Sequence, residues 1–264
     1  MYIAETRKIG ELFNSPRRRY VLADEAPPGG SYLCPYCHGI VLLEKDASSC
    51  HFVHKCGEDC QAVKDQKRRK ESRRHQWMKA TVLNLILDND NGQLGHTYGL
   101  EFMLGTKRPD AYVEVAFNDR SITKVAIECL YRNWDDYDPL NLEEKVRYYA
   151  DEQRAHTLWI VDFDEYPELA QSKDTPVEIP DAYNWIRSRS YGKIYGFRGK
   201  QLYSVYLKRQ GKHSRLWKPY WLNLEKSLLH LVEPNSRSNI ITFSDYTFYK
   251  SKLKENEFRV SNNN

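Results

Sequence analysis

Three stretches of alternating apolar and polar residues lie between positions 97 and 130, separated by short turn-forming sequences. The first stretch contains Tyr98, Leu100, Phe102 and Leu104. The second follows a turn at 105–109, and the third follows the polar sequence N-D-R-S at 118–121. A period of two residues is typical of strands with one buried face, and short turns join antiparallel neighbours. The sequence therefore predicts a three-stranded antiparallel meander, which limits the chain to folds that can cover such a sheet.

A helix is predicted before the meander and another after it. The first has an apolar stripe, at three- and four-residue spacing, of His75, Met78, Val82 and Leu85. It should run from about 65 to 88, where N-D-N-G supplies a stop. The second should begin with Asp138 as its N-cap and Pro139 in its first turn. Its apolar stripe is Leu142, Val146 and Tyr149.

A continuous apolar run, L-W-I-V, follows the second helix within a segment at 156–163. Such a run is typical of a strand that is buried on both faces of a sheet. A strand, a helix and a second buried strand in this order predict a parallel crossover. The predicted fold class is therefore α/β, with a core of helix, three-stranded meander, helix and parallel strand.

Five of the six cysteines lie between positions 34 and 60 and are interleaved with histidines. Cys34 and Cys37 have the two-residue spacing by which a pair of thiolates binds one zinc ion. His51 and His54 follow about one module length later, so these four residues are the simplest zinc ligand set. Thiolates compete with imidazoles, which leaves three alternatives for the second pair: Cys50, Cys56 and Cys60. Zinc would serve folding here, because so short a segment cannot bury a sufficient core.

Asp110 and Glu128 lie on the second and third predicted strands, about equally far from the turn that joins them. Opposed residues on one face of an antiparallel pair have Cβ atoms about 5 Å apart, which suits two ligands of one ion. Glu71 lies on the core side of the first helix and is a candidate third ligand. Carboxylate oxygens are the ligands that Mg²⁺ prefers, so we expect a magnesium or manganese site.

The start of the first predicted helix is strongly basic. Between positions 64 and 79 there are eight lysines and arginines and two acids, a local charge of +6. Such a run can be a solvated helix face, or it can bind the phosphate backbone of DNA. The candidate DNA-binding residues are Lys67, Arg68, Arg69, Arg73 and Arg74.

Breaker sequences and composition divide the chain into four predicted parts. These are a lead at 1–30, a zinc-binding module at 31–63, the core domain at 64–165 and a mainly β extension at 166–264. No apolar stretch approaches the roughly 18 residues of a membrane helix. The N-terminal sequence has neither signal-peptide nor transit-peptide character, so we expect a cytoplasmic protein without membrane contact.

Between positions 34 and 162 the chain resembles the competence protein CoiA family, a branch of the PD-(D/E)xK nuclease superfamily. The matching motifs are C-P-x-C with H-F-x-H (Cys34, Cys37, His51, His54), E-S-x-x-H (Glu71, Ser72, His75), R-P-D (Arg108, Pro109, Asp110), I-E (Ile127, Glu128) and L-W-I (Leu158, Trp159, Ile160). The resemblance implies a restriction-endonuclease-like core and Mg²⁺-dependent cleavage of DNA. Asp110 and Glu128 would be the metal ligands, and Glu71 would assist.

Leu130 stands where the family usually carries lysine or glutamine, two residues after the glutamate. An apolar side chain can neither position water nor stabilise an oxyanion. Lys145, on the second helix and near the place where relatives carry an arginine, could reach the site instead. An active endonuclease is therefore one predicted function. The alternative is a catalytically degenerate nuclease fold that acts as a zinc-containing scaffold for nucleic acids or for protein partners.

A protein partner would bind through the aromatic C-terminal third of the chain. The residues that could form such a surface are Trp185, Trp217, Tyr220 and Trp221. A contiguous exposed aromatic patch would support this interpretation.

Overall fold

The fold of the chain is given by a computed structural model, which describes part of its length. The described residues are 1–6, 19–46, 49–61, 63–65, 71–88, 94–116, 122–132, 137–165, 177–178, 194–209 and 216–223. They form a mixed α/β structure that contains two β-sheets.

The first sheet has five antiparallel strands in the order β2-β1-β3-β4-β5. Its strands are β1 (Ile3–Thr6), β2 (Arg19–Leu22), β3 (Tyr32–Leu33), β4 (Ile40–Lys45) and β5 (Cys50–His54). Met1 lies beside β5, where the Phe52 N–H donates a 2.7 Å hydrogen bond to the Met1 carbonyl. A small core that includes Tyr32, Val41 and Phe52 lies within this sheet.

The predicted boundary at residue 30 runs through this sheet. Strand β1 pairs with β3, with Glu5 opposite Leu33, so the N-terminal lead and the cysteine segment share one hydrogen-bonded structure. The sequence A-P-P-G-G at 26–30 forms the loop between β2 and β3. Two short strands in a lead cannot satisfy their backbone groups alone, which explains why they join the neighbouring module.

The second sheet has eight strands in the order β10-β13-β12-β11-β9-β8-β7-β6. Its strands are β6 (Leu94–Leu100), β7 (Ala111–Ala116), β8 (Ile122–Leu130), β9 (Ala155–Asp162), β10 (Val177–Glu178), β11 (Ile194–Arg198), β12 (Gln201–Arg209) and β13 (Leu216–Asn223). Strand β9 is parallel to both β8 and β11, and the other pairs are antiparallel.

Helix α1 (Arg73–Asp88) begins later than the sequence predicts. Ser72 accepts a 3.1 Å hydrogen bond from the His75 N–H through its hydroxyl and caps the helix. Residues 71 and 72 are not helical, so the predicted start near 65 was wrong for this part of the chain. Glu71 consequently precedes α1, although the sequence predicted it on the helix.

Helix α2 (Pro139–Arg147) agrees with its prediction. Asp138 is the N-cap, and its Oδ1 accepts a 3.0 Å hydrogen bond from the Leu140 N–H. A π-helical turn at Tyr148–Glu152 leads from α2 into β9. The order of α1, the β6–β8 meander, α2 and the parallel strand β9 is the order that the sequence predicts.

The two faces of the meander have different cores. Ala111, Val113 and Val115 of β7 face α1 and belong to a large apolar cluster that also includes Met78, Leu83 and Leu87 of that helix. Tyr112 points to the opposite face, where its neighbours include Ala126 and Tyr149. The predicted alternation of β7 is therefore confirmed, and the second face is the one that receives the end of α2.

Strand β6 ends at Leu100, four residues before the predicted end at Leu104. Glu101 has a φ of 50°, in the left-handed region that breaks a strand, and its N–H donates to the Asp110 carbonyl. The Glu101 side chain is directed to a buried lysine, Lys79. This buried contact ends the strand, although the alternating pattern continues in the sequence.

The C-terminal strands continue the sheet of the core. Strand β11 pairs with β9, with Phe197 opposite Asp162, so the predicted boundary at 165 falls within one sheet. The β-rich character of this region is confirmed for β10 to β13. The sequence also indicates one short helix near 182–189, which lies outside the described residues. Among the helices of the described residues, none is long and apolar enough to span a bilayer.

Candidate functional site

Four side chains of the N-terminal sheet region form a cluster that could hold a metal ion such as zinc. Their ligand atoms all lie within 4.8 Å of one another, and the residues are Cys34, Cys37, His54 and Cys60. The Sγ atoms of Cys34 and Cys60 are 3.8 Å apart, and Cys37 Sγ is 3.4 Å from His54 Nε2. Tetrahedral zinc with bonds of about 2.0–2.3 Å separates its ligand atoms by about 3.3–3.8 Å, and both of these distances fall in that range.

A tight turn presents the two-residue-spaced cysteines. The Cys34 N–H donates to the Gly39 carbonyl, and the His38 N–H donates to the Cys34 carbonyl. His38 is in the left-handed conformation, with a φ of 57°, which folds the chain back so that both thiols face the cluster. His54 comes from the end of β5, and its Nδ1 lies 3.7 Å from Asp59 Oδ1, close enough for the carboxylate to help orient the ring.

The cluster contains Cys60 in place of the predicted ligand His51. His51 and His54 are three residues apart on β5, so they lie on opposite faces of the strand. His51 Nε2 lies 3.6 Å from Glu44 Oε2 instead. Of the other open alternatives, Cys50 donates to the Ala23 carbonyl at 3.0 Å and Cys56 is exposed.

The carboxylates of Asp110 and Glu128 meet where β7 begins and β8 ends. Ala111 pairs with Ile127, and continuing that register places Asp110 opposite Glu128. The Cys129 N–H donates a 2.8 Å hydrogen bond to Asp110 Oδ2, which fixes the aspartate against the neighbouring strand. The register of β7 and β8 therefore agrees with the opposed arrangement predicted by counting residues from the turn.

Glu128 is held by two side chains that follow β8 in the chain. Lys145 of α2 donates to Glu128 Oε2 at 2.7 Å, and its Nζ is also 2.7 Å from Oε1. The Tyr149 hydroxyl, from the π-helical turn, donates to Oε1 at 2.9 Å. Leu130, by contrast, is buried and supplies no polar atom. A lysine amine thus reaches the carboxylate pair from α2.

The two carboxylates have opposite pKa shifts. Burial raises the pKa of Asp110, but His75 and the lysines Lys79 and Lys145 outweigh it and lower that pKa well below its usual value. Burial and the charge of Asp110 raise the pKa of Glu128 to about 7 against the opposing effect of Lys145. Neighbouring titratable groups with separated pKa values are typical of sites that hold ions or transfer protons.

A second group of charges supports Asp110 from the side of α1. His75 Nε2 lies 3.2 Å from Asp110 Oδ2, and His75 Nδ1 lies 2.7 Å from Glu71 Oε1. Burial lowers the pKa of His75, but the carboxylates of Asp110 and Glu71 raise it above its ordinary value. Glu71 therefore reaches Asp110 through His75, whereas the sequence made it a candidate third metal ligand.

Lys79 is a site residue that the sequence reasoning missed. Its side chain is fully buried, and its Nζ contacts carboxylate oxygens of both Glu71 and Glu101. These two acids raise the pKa of Lys79 well above its ordinary value, although burial alone would lower it. The regular spacing of Glu71, His75 and Lys79, each four residues apart, is the signal that could have found it.

Two of the candidate DNA-binding residues, Arg73 and Arg74, are described by the structure, and both form ion pairs with acids of this chain. Arg73 forms an ion pair with Asp24. Arg74 Nε and Nη2 donate to the two oxygens of Asp162 at 2.6 and 2.7 Å, and Nη2 also donates to Asp164. Two of the predicted DNA-binding arginines therefore join α1 to other parts of the chain. The other candidates, Lys67, Arg68 and Arg69, lie outside the described residues.

Comparisons with known proteins returned no match, whether among models of protein families, curated proteins or solved structures. The fold and the two clusters describe the chain as a mixed α/β protein with a Cys/His cluster that could hold a metal and a buried site of carboxylates and cations.

Replacing Cys60 should remove the metal from the Cys/His cluster. Cys60→Ser leaves three ligands and should lose most of the zinc that co-purifies with the protein, whereas Cys56→Ser should keep it. Elemental analysis of the purified variants measures the zinc content per chain. Zinc loss in His51→Ala together with zinc retention in His54→Ala would contradict the assignment of zinc to this cluster.

The raised pKa of Glu128 should make stability depend on pH. The folded state binds this proton more tightly than the unfolded chain, so the stabilisation is complete at low pH and is lost as the pH rises through about 7. The unfolding free energy of the native protein should therefore fall relative to Glu128→Gln by on the order of 2 kcal/mol between about pH 5 and pH 8.

Urea denaturation of both proteins at several pH values measures this difference, since the other titrating groups are common to both. The prediction is contradicted if the unfolding free energy of the native protein rises with pH relative to that of Glu128→Gln. That result would mean that Lys145 outweighs burial and that the pKa of Glu128 lies below its ordinary value.

Proposed function

We propose that this chain is a metal-dependent endonuclease that cleaves phosphodiester bonds in DNA. The observation that carries the proposal is the contact of the Lys145 amine with Glu128, 2.7 Å away, beside Asp110. Two carboxylates and a lysine are the set of groups that metal-dependent phosphodiester cleavage needs. Lys145 would take the role of the motif residue that Leu130 cannot fill.

The order of elements around these residues gives further support. A helix, a three-stranded meander, a second helix and a parallel strand form the core of the PD-(D/E)xK superfamily that the sequence resembles. In this chain Asp110 lies at the start of β7 and Glu128 near the end of β8, as in the R-P-D and I-E motifs. We therefore assign the core at 64–165 to the restriction-endonuclease-like fold as part of the proposal.

Each side chain of the site would have a distinct part in the reaction. Asp110 and Glu128 would hold Mg²⁺ or Mn²⁺, which supplies Lewis-acid stabilisation of the phosphoryl oxygens when bound. The carboxylate of Glu128 raises the pKa of Lys145 despite burial, so the amine stays protonated and can stabilise negative charge that develops on the phosphate. His75 would position Asp110, and Glu71 would position His75.

The Cys/His cluster would have a structural part. With zinc bound, it would fix the loops of the five-stranded sheet, whose Tyr20 and Leu22 pack against the α1 core. The clustered cysteines are free thiols and form no disulfide with one another, which fits a reducing cytoplasm.

A scaffold without catalysis is the second candidate, and one observation favours it. The acids of the site have cationic partners within the chain, because Asp110 contacts His75, Glu128 contacts Lys145 and Glu71 contacts Lys79. A site balanced in this way is stable without a metal. In this case the fold would bind nucleic acid or a protein partner and would not cut.

Cleavage assays with matched lysine variants distinguish the two candidates. Purified protein should cut linear, circular or single-stranded DNA only with Mg²⁺ or Mn²⁺, and Asp110→Asn should abolish cutting. Lys145→Met should lower kcat by about 10²-fold, because a preorganised charge at the reacting phosphate is lost. Lys107→Met is the control, since Lys107 pairs with Glu144 on the exposed side of the same helix and should leave kcat unchanged.

No metal-dependent cutting of any of these DNA forms would refute the enzyme. Cutting that survives Asp110→Asn and Lys145→Met would place the chemistry elsewhere in the chain.

A further inference from the structure

Tyr131 borders the carboxylate site on its outer side. It directly follows the last residue of β8, and its ring stacks on the His75 imidazole with a centroid distance of 3.9 Å and an interplanar angle of 12°. His75 in turn contacts Asp110. The ring of Tyr131 therefore lies one side chain away from the proposed metal ligands.

Arg132 extends this stack to the surface. Its side chain is exposed, and the guanidinium carbon lies 4.9 Å from the centroid of the Tyr131 ring. A guanidinium at this distance from an aromatic face is attracted to it, which limits where the charge can go. Asp110, His75, Tyr131 and Arg132 thus form a continuous line from the buried carboxylate to an exposed cation.

The backbone at this point offers two further donors. The N–H groups of Tyr131 and Arg132 both donate to one atom, the hydroxyl oxygen of Tyr137, at 3.1 and 3.3 Å. Successive amides that converge on one oxygen form the kind of concavity that binds anions. An anionic oxygen would accept these hydrogen bonds more strongly than the neutral phenol does, because charge-assisted hydrogen bonds are about twice as strong.

We propose that Arg132 and the amides of Tyr131 and Arg132 bind a phosphate group of the DNA backbone beside the carboxylate site. The Tyr137 hydroxyl occupies the amide pair while DNA is absent and gives way to a phosphate oxygen. This assignment rests on the proposed function for its substrate class and adds how the strand is positioned. Contacts of this kind are to phosphate alone, so they hold DNA independently of its sequence.

The proposed phosphate site would also offset the repulsion between the carboxylates and DNA. Glu71, Asp110 and Glu128 repel a polyanion, and a cation at the edge of the site would offset part of that repulsion. Arg132 has its exposed guanidinium at this edge, against the Tyr131 ring. A phosphate bound there would lie at the edge of the site, as a neighbour of the bond to be cut.

Arg132→Gln should weaken DNA binding through the loss of one phosphate contact. We expect an affinity roughly tenfold lower for every sequence and a salt slope smaller by about 0.9. Fluorescence anisotropy with a short labelled DNA at several salt concentrations, in a buffer without added Mg²⁺ or Mn²⁺, measures both. Arg147→Gln is the matched control, because Arg147 is an exposed arginine of α2 that pairs with Glu143, and it should change neither quantity.

Tyr137→Phe tests the amide pair separately. Without the hydroxyl the two amides lack this acceptor until phosphate arrives, so DNA affinity should rise by about two- to fivefold. Tyr148→Phe removes a comparable contact, in which the Tyr148 hydroxyl accepts from the Thr106 N–H at 2.8 Å, and should leave DNA affinity unchanged. Unchanged or weaker DNA binding by Tyr137→Phe would refute the role of the amides.

The remaining outcomes are equally decisive. An unchanged salt slope in Arg132→Gln would overturn the assignment of Arg132. Titration with inorganic phosphate identifies the source of the ligand, because a site for free phosphate would lose phosphate binding in Arg132→Gln while DNA affinity stayed the same. Binding measured without added Mg²⁺ or Mn²⁺ does not depend on cleavage. Failure to cut DNA would therefore refute the proposed enzyme but not the phosphate site. Conversely, an Arg132→Gln variant with unchanged DNA affinity and salt slope would refute the phosphate site but not the enzyme.

Discussion

The buried ammonium of Lys79 is the charge on which the arrangement of the site depends. A charge without partners in the interior costs several kcal/mol, so both of its carboxylate partners must stay in place. Glu71 lies just before α1 and Glu101 just after β6, and the lysine contacts both. The same network continues from Glu71 through His75 to Asp110. One network of buried charges therefore joins the start of α1, the end of β6 and Asp110, the proposed metal ligand.

This dependence explains which parts of the fold the sequence could predict. Periodicity and caps are local, so they identified β7, β8, β9 and the Asp138 start of α2 correctly. The start of α1 at Arg73, which Ser72 caps, and the end of β6 at Leu100 were not predicted. Beyond Leu100 the chain turns at Glu101, whose buried contact with Lys79 joins segments that are distant in sequence. The pairing of β1 with β3 across the predicted boundary at residue 30 is likewise a long-range contact that local patterns do not contain.

The site shows the same division between local and long-range information. Counting residues from a turn sufficed to predict that Asp110 and Glu128 oppose each other. The choice between His51 and His54 could have been constrained from sequence, because their odd spacing on a strand separates them, but Cys60 required the fold. Arg74 was predicted as a candidate DNA-binding residue, and its ion pair with Asp162 could not be found from spacing because Asp162 lies on a distant strand. Spacing thus predicted the pair on neighbouring strands, whereas Cys60 and the Arg74–Asp162 ion pair depend on contacts between segments that are distant in sequence.

The central claim is that Asp110 and Glu128 hold a divalent ion with Lys145 beside them. A crystal structure of the protein grown with Mn²⁺, with anomalous data collected on both sides of the manganese edge and of the zinc edge, tests it most directly. We expect a manganese peak between the two carboxylates and a Lys145 amine that has moved off one Glu128 oxygen. A zinc peak at the Cys/His cluster would show that metal sites are detectable in the same crystal. A zinc peak with no manganese peak, and with Lys145 still on Glu128, would refute a divalent-ion site at Asp110 and Glu128.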